Sequence, residues 1–301
     1  MEAICSAPDI RGVFQKNVNL GEKSHLGIVG KVDFLFVPED MDDLIFFLRN
    51  INPNINITVL GAMSNVLIRS GGIRGVAIIL GQWFKKIFIE DNIVEVGAAV
   101  YCNDLSNVSM DAEVGGFEFL MGFPGTLGGA IRMNAGCYGS CIADILIEFE
   151  AVTKSGTVKW IDARNVNFSY RKSDISDDLI ITRAWLKGIV DARYSIPKKT
   201  NEIMKRRREG QPTQKRSCGS TFKNPENIEK KAWELIDAAG CRGMKIGGAM
   251  VSEKHCNFLI NENNATPEEF EKLGELVRQK VFENSGIQLE WEIIRLGDSA
   301  F

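Results

Sequence analysis

The stretch RSCGSTFKNP, Arg216 to Pro225, sets a serine, Ser220, directly after a glycine and among small residues. Such surroundings let another molecule come close to a hydroxyl. The chain has only two histidines, His25 and His255, so the usual base for a nucleophilic serine is scarce. Left to itself, Ser220 could be a turn serine bonding its own backbone. Arg171, in SYRKSD, carries a guanidinium that offers paired donors to a carboxylate, or else a surface salt bridge. Glu292 lies in LEWEIIRLG. Strand alternation puts Leu289, Trp291 and Ile293 on one face and Glu290, Glu292 and Ile294 on the other, which suits either a solvated face or a polar group aimed at a site.

Two glycine-rich segments add a second kind of chemistry. LGAMSNVLIRSGGIRG runs from Leu60 to Gly75, and GFPGTLGGAIRMNAGCYG from Gly122 to Gly139. Glycine admits positive φ and lets a ligand approach main-chain N–H groups, and successive N–H groups in turns bind phosphate oxygens. Neither segment is a Rossmann or P-loop fingerprint. One glycine cluster alone could be a tight turn. Two long ones, carrying Ser64, Asn65, Thr126 and Asn134, point to the diphosphate of a dinucleotide.

These residues need elements to hold them. Up to about residue 80, KVDFLFVP, NITVLG and GVAIIL read as strands, and EDMDDLIFFLRN as a helix with acids in its first turn. To about 190 the signals are mainly β: KKIFIEDNIVEVGA and EFEAVTKSGTVKWID each read as two strands around a turn, DLIITRAWLK as another. One helix is expected near Asn103 to Ala112. From Pro197, KKTNEIMKRRREG, NIEKKAWELIDAAG and ATPEEFEKLGELVRQKVFENSG read as helices, the last with Thr266 as N-cap, Pro267 at its first position and Glu269 three residues after the cap. IQLEWEIIRL reads as a final strand. The divisions expected are 1–82, an α/β subdomain; 83–194, a β-rich subdomain; and 195–301, a substrate domain whose last ten residues or so return to the first.

The bulk numbers suit a soluble globular protein. The chain has 301 residues, 45% hydrophobic and 25% charged, with net charge −3. That charge argues against nucleic acid as a partner. No apolar run is long enough to span a membrane, and the N-terminus MEAICSAPDIRGVFQ lacks signal-peptide features. Seven scattered cysteines without a CxxC point to reduced cytoplasmic thiols, and no metal site is expected. The basic run Lys205 to Glu209 is a solvated helix face or attracts an anionic nucleotide.

GFPGTLGGAIRMNAGCYG resembles the flavin-binding signature of the UDP-N-acetylenolpyruvoylglucosamine reductase family. LGAMSNVLIRSGGIRG is similar to that family's first pyrophosphate loop. SYRKSD, QPTQKRSCGSTFKNP, GMKIGGAMVSEKHCNFLIN and LEWEIIRLG follow in the family's order, so the resemblance runs from about residue 20 to 297. It implies an α+β, three-domain flavoprotein of the vanillyl-alcohol-oxidase-like (PCMH-type) FAD-binding fold with a C-terminal α/β substrate domain. Only 48 residues, 172–219, separate Arg171 from Ser220. That spacing implies the shorter subtype, without a tyrosine-bearing insertion. Met63 stands where the family often has glycine, and Ser70 near where it often has aspartate.

The resemblance also implies a reaction and its residues. UDP-N-acetylglucosamine enolpyruvate would be reduced to UDP-N-acetylmuramate, a peptidoglycan precursor, with non-covalent FAD and with NADPH as co-substrate. A hydride adds to the terminal carbon of the enolpyruvyl group, and the charge that develops needs an enolate stabiliser and a proton donor. Ser220 matches the family's proton donor; Arg171 and Glu292 match its active-site arginine and glutamate, Glu292 acting as a protonated hydrogen-bond donor. FAD would meet Gly61, Ala62, Met63, Ser64, Asn65, Val66 and Leu67, and then Gly122, Pro124, Gly125, Thr126, Gly128, Gly129, Ala130, Asn134, Gly136 and Gly139. Gln211, Arg216, Lys223, Asn224, Lys245 and His255 are the substrate candidates, His255 as a hydrogen-bonding group. A cytoplasmic monomer without membrane or nucleic-acid partners is expected. Three other readings stay open: a flavin oxidase of the same broad fold, a flavin-binding module without turnover, and a serine hydrolase, although the last lacks a GxSxG elbow.

Overall fold

Asp40 ends an extended segment and caps the first long helix, Met41–Asn50, its side chain accepting the N–H of Asp43. The acids expected in the first turn are there, and one of them is buried. Asp43 is 1% exposed, and its carboxylate accepts the backbone N–H groups of Arg11, Gly12 and Glu39, each at 2.9 Å. Three N–H partners offset the cost of burying that charge. In this computed structural model, residues 9–190, 195–226 and 228–299 are described. The expectation that the N-terminus lacks signal-peptide features rests in part on residues 1–8, outside the described residues. Cys5, residue 194 at the expected division and Asn227, the expected start of a helix, also lie outside them.

The chain forms two units. Among the described residues, the first holds 9–16, 34–62, 75–190 and 195–205. A four-stranded sheet has the order Val13–Asn19, Lys31–Val37, Ile73–Ile78, Ile57–Val59. Leu44, Phe47 and Leu48 of the helix pack into a core with Phe36, Val76 and Ile78. The larger sheet is antiparallel, with the order Val158–Asp162, Leu146–Thr153, Leu179–Lys187, Ile93–Gly97, Ile87–Glu90. Both expected hairpins form, turning at Asp91 (φ 53°) and Gly156 (φ 78°). Helix Cys102–Asp111 and the short helix Leu127–Arg132 supply Leu105, Leu127 and Ile131 to the core over this sheet, against Val96, Phe149 and Ala184.

The second unit holds residues 17–33, 63–74 and 206 onwards. Its antiparallel sheet has the order Arg216–Ser217, Leu259–Asn261, Ala249–Val251, Lys245–Ile246. Strand Ile294–Leu296 pairs in parallel with Val66–Ile68. Helix Pro267–Ser285 begins with the expected capping box and ends at Gly286 in the left-handed region. Phe270, Leu273, Val277 and Val281 form one stripe along it and fill the core with Leu235, Leu259 and Leu289.

Two elements are shorter than their sequence pattern suggests. The helix expected over 227–240 covers only Ala232–Ala238. Lys231 is extended there: its N–H goes to Glu234 Oε2 at 2.6 Å, and the N–H of Ala232 goes to Asn224 Oδ1 at 3.0 Å. Those side-chain acceptors start the helix and stop it growing backwards. The strand expected over Ile287–Leu296 is regular only at Ile294–Leu296. Upstream, Arg278 Nε takes the Leu289 carbonyl at 2.8 Å, and only Trp291 makes an isolated bridge, to Phe222.

Candidate active site

Ser220 and Glu292 leave neighbouring backbone segments of the second unit. The N–H of Glu292 donates to the carbonyl of Thr221 at 2.8 Å, and the N–H of Lys223 donates to that of Glu290 at 2.9 Å. Both side chains are half-buried. Each segment is fixed from behind. Thr221 is 0% exposed; its N–H goes to the Asn257 carbonyl at 2.7 Å, and its hydroxyl accepts the N–H of Leu259 at 3.0 Å. Asn257 clamps Phe222 at both polar atoms, at 3.1 and 2.8 Å.

On the other side, Asn65 Nδ2 donates to the carbonyl of Glu292 at 2.9 Å, and Ile294 N–H donates to the Asn65 carbonyl at 3.0 Å. Trp291 packs on Phe222 with centroids 5.1 Å apart and lies so close to Gly274 that a Cβ there would fall 2.1 Å from the indole. Glycine is therefore required at that helical position. Rigid surroundings of this kind are what a preorganised site needs.

Met63, in the first glycine-rich segment, has φ 49° and is 4% exposed. A left-handed backbone explains why glycine suits this position in the resembling family. Ser64, Asn65 and Val66 are half-buried and Leu67 buried. Ser70 donates its hydroxyl to Glu268, whose carboxyl it helps hold below its usual pKa.

The remaining glycines shape a cavity of about 150 Å³ in the first unit, lined by Gly61, Ala62, Thr126, Gly128, Gly129, Lys85, Tyr101 and Arg132 among others. A Cβ on Gly61 would fall 2.4 Å from Thr126 Oγ1, and one on Gly128 3.1 Å from Ala98 Cβ. Side chains at these positions would fill the cradle. Lys85, the Thr126 hydroxyl and bare backbone fit the diphosphate of FAD, and the volume accommodates part of that molecule; the Arg132 guanidinium is held by Asp177 and by the carbonyls of Ile175 and Leu179. Gly122 and Gly136 serve the loop itself: a Cβ on Gly122 would fall 2.2 Å from Cys137 Sγ, and one on Gly136 2.5 Å from the Ser140 carbonyl. Gly125 and Gly139 have positive φ, and Ala130 is buried. Pro124 is half-buried beside them. The amide of Asn134 is engaged within the fold: Nδ2 donates to the Ser169 carbonyl at 3.0 Å, and Oδ1 accepts the N–H of Ala143 at 3.1 Å.

Arg171 belongs to the first unit. It is the second residue of the two-residue turn between the paired strands Phe168–Ser169 and Lys172–Ser173, with φ 56°. Its guanidinium carbon stands 5.0 Å from the Tyr170 ring centroid. A non-glycine residue in the left-handed region is uncommon and marks a place where the surroundings dictate the backbone.

The substrate candidates lie in the second unit. Lys223 Nζ is 3.4 Å from Glu290 Oε2. Asn224 caps the helix at Ala232. Arg216 is exposed, its side chain against the left-handed Gly27. Lys245 is exposed and Gln211 half-buried. His255 packs edge-on to Phe258, with centroids 4.8 Å apart; burial lowers its pKa. Burial pushes the Cys102 and Cys218 thiols up to about 12, which makes both inert at neutral pH. Cys137 Sγ donates to the Phe119 carbonyl at 3.1 Å. Among the described residues no group of three or more His, Cys, Asp or Glu could hold a metal ion. Nor is any described helix long and apolar enough to cross a membrane.

Sequence reasoning passed over Lys85, Tyr101 and Arg132 in the cavity. Arg132 sits inside the glycine-rich segment and could have been picked out as the only cation there. Lys85 and Tyr101 are brought in by neighbouring elements and carry no local signal. Asn257, which holds the Ser220 segment, was also missed.

The chain matches known proteins along nearly its whole length. A sequence model described as "FAD binding domain" matches residues 32–162, and one described as "UDP-N-acetylenolpyruvoylglucosamine reductase, C-terminal domain" matches residues 211–296. UDP-N-acetylenolpyruvoylglucosamine reductase of Beijerinckia indica is 44% identical over 290 residues, covering 96% of this chain and 93% of that protein. The enzyme of the same name from Rickettsia prowazekii is also 44% identical over 290 residues, with 96% and 98% covered. The crystal structure of UDP-N-acetylenolpyruvylglucosamine reductase from Thermus caldophilus superposes with a TM-score of 0.82 at 30% identity, over 95% of this chain and 99% of that one. The chain belongs to the UDP-N-acetylenolpyruvoylglucosamine reductase family and is an oxidoreductase with an FAD-binding domain of the vanillyl-alcohol-oxidase-like fold.

Proposed function

We propose that the chain reduces UDP-N-acetylglucosamine enolpyruvate to UDP-N-acetylmuramate, with NADPH as co-substrate, as a cytoplasmic monomer of the shorter subtype. Its functional divisions are 1–82, 83–194 and 195–301. The observation that carries this reading is the pairing of Thr221 with Glu292, which holds Ser220 and a carboxyl group on adjacent rigid segments.

Bound FAD supplies the hydride. Gly61, Gly128, Gly129, Thr126 and Lys85 would hold its diphosphate. Arg171 pairs with the substrate carboxylate and with the enolate charge that grows on it. Glu292, in its protonated form, donates a further hydrogen bond to that oxygen; an ionised carboxylate would repel the enolate. Ser220 gives its hydroxyl proton to the carbon next to the carboxylate, which becomes the lactyl centre. Lys223, Arg216 and Lys245 favour the anionic diphosphate of the sugar nucleotide.

The test is product analysis in deuterium oxide with NADPH. UDP-N-acetylmuramate carrying deuterium at the carbon next to the carboxylate is expected. Unconverted substrate with the FAD-loaded protein would overturn the reading.

A further inference from the structure

The hairpin that carries Arg171 is tied to the glycine-rich segment at several points. Asn134 Nδ2 donates to the Ser169 carbonyl at 3.0 Å, two residues before Arg171. Ser173 Oγ donates to the Arg132 carbonyl at 2.7 Å, two residues after it. Arg132 then spreads its guanidinium over the chain that follows, donating to the carbonyls of Ile175 at 3.2 Å and Leu179 at 2.6 Å. Asn134 is 7% exposed and itself left-handed, at φ 41°. Its other amide atom accepts the N–H of Ala143, so the side chain cannot swing away without losing two partners.

We propose that Asn134 and Ser173 are positioning residues that hold Arg171 in its left-handed turn. The proposal rests on the role given to Arg171 above. A two-residue turn with a non-glycine at positive φ relaxes unless both of its flanks are held. Asn134 holds the strand entering the turn and Ser173 the strand leaving it. Asn134 acts from the segment that also lines the cavity through Arg132, Gly128 and Gly129, and Ser173 anchors the hairpin to the Arg132 carbonyl of that segment. The segment that lines part of the cavity thus also holds the turn of Arg171.

The test uses Ser173→Ala and Asn134→Ala. Limited trypsinolysis of the protein reads the turn directly, since Arg171 and Lys172 are cleavage points. Cleavage there should speed up about fivefold in both variants, as expected when about 1 kcal/mol of hydrogen bonding is lost, while cleavage elsewhere keeps its rate. In FAD-loaded Ser173→Ala, flavin reduction by NADPH should be unchanged. Reoxidation by the enolpyruvyl substrate should slow by about 10–100-fold, the scale of a misplaced contact group. In an Arg171→Ala background, Ser173→Ala should add no further loss. Unchanged cleavage at the turn, or a loss that persists without Arg171, would overturn the proposal. If Asn134→Ala loses its fold or its flavin, Ser173→Ala decides alone. Should Arg171→Ala leave reoxidation intact, the role of Arg171 fails, while the cleavage pattern still reports the clamp.

Discussion

The N–H of Glu292 donates to the carbonyl of Thr221 at 2.8 Å, although 70 residues of chain separate them. That bond makes the serine and glutamate segments one structural object. Asn257 secures the serine segment, and Asn65 and Trp291 the glutamate segment. Damage to this scaffold should therefore be felt at both side chains together.

Ser220→Ala tests the acid. Flavin reduction by NADPH should stay near the wild-type rate, and reoxidation by the enolpyruvyl substrate should fall by about 10²–10⁴-fold, the usual contribution of a general acid. Single-turnover absorbance separates the two. Equal loss in both would assign Ser220 to folding or flavin binding instead.

Gly274→Ala tests the scaffold. A Cβ would fall 2.1 Å from the Trp291 ring, so the indole must move. Overpacking of this kind costs about 1–3 kcal/mol. Thermal melting should show a lowered Tm, and reoxidation should slow because Glu292 follows Trp291. A variant with wild-type Tm and rate would show that the indole is not held there.

Met63→Gly sets two effects against each other. Glycine relieves the left-handed backbone by about 1 kcal/mol, but removing a buried methionine side chain costs roughly 2–5 kcal/mol. Met63 packs beside Leu20, Leu26, Ile28 and Leu67. Packing should win, leaving the variant less stable in a urea titration. A stabilised variant would mean that backbone strain at Met63 outweighs its packing.

Stability should fall as the pH drops from 7.5 to 5.5. Burial holds both His25 and His255 below the ordinary value of 6.5. The unfolded chain takes up protons near 6.5, where the folded chain resists them, so the contribution is full above that pH and lost below it. His255→Gln should flatten the dependence of Tm on pH over this window. An equally steep curve would place the titration elsewhere.

Much of the fold was legible because its signals are local. The capping box at Thr266, the turn at Lys154 to Gly156 and the stripe Phe270, Leu273, Val277, Val281 need only neighbouring residues. The failures share a cause. Residues 287–293 alternate like a strand, yet Arg278 takes a carbonyl that a ladder would need. Asn224 starts the helix at Ala232 from eight residues away. Within the site, the glycine-rich segments could be read as a cofactor cradle from their composition. The same composition gave no sign that Asn134 would spend its amide on Ser169, because that partner is 35 residues distant. Met63 and Arg171 carry positive φ without being glycine, so their residue types did not announce the turn.

The most direct measurement is anaerobic stopped-flow absorbance near 450 nm on the FAD-loaded protein, with NADPH added first and UDP-N-acetylglucosamine enolpyruvate second. The flavin band should bleach and then return only with the sugar nucleotide. In Ser220→Ala it should bleach at the same rate and return at least a hundredfold more slowly, as loss of the acid requires. A band that returns equally fast in the variant would contradict the assignment of Ser220 as proton donor. A wild-type band that bleaches but does not return would contradict the proposed substrate.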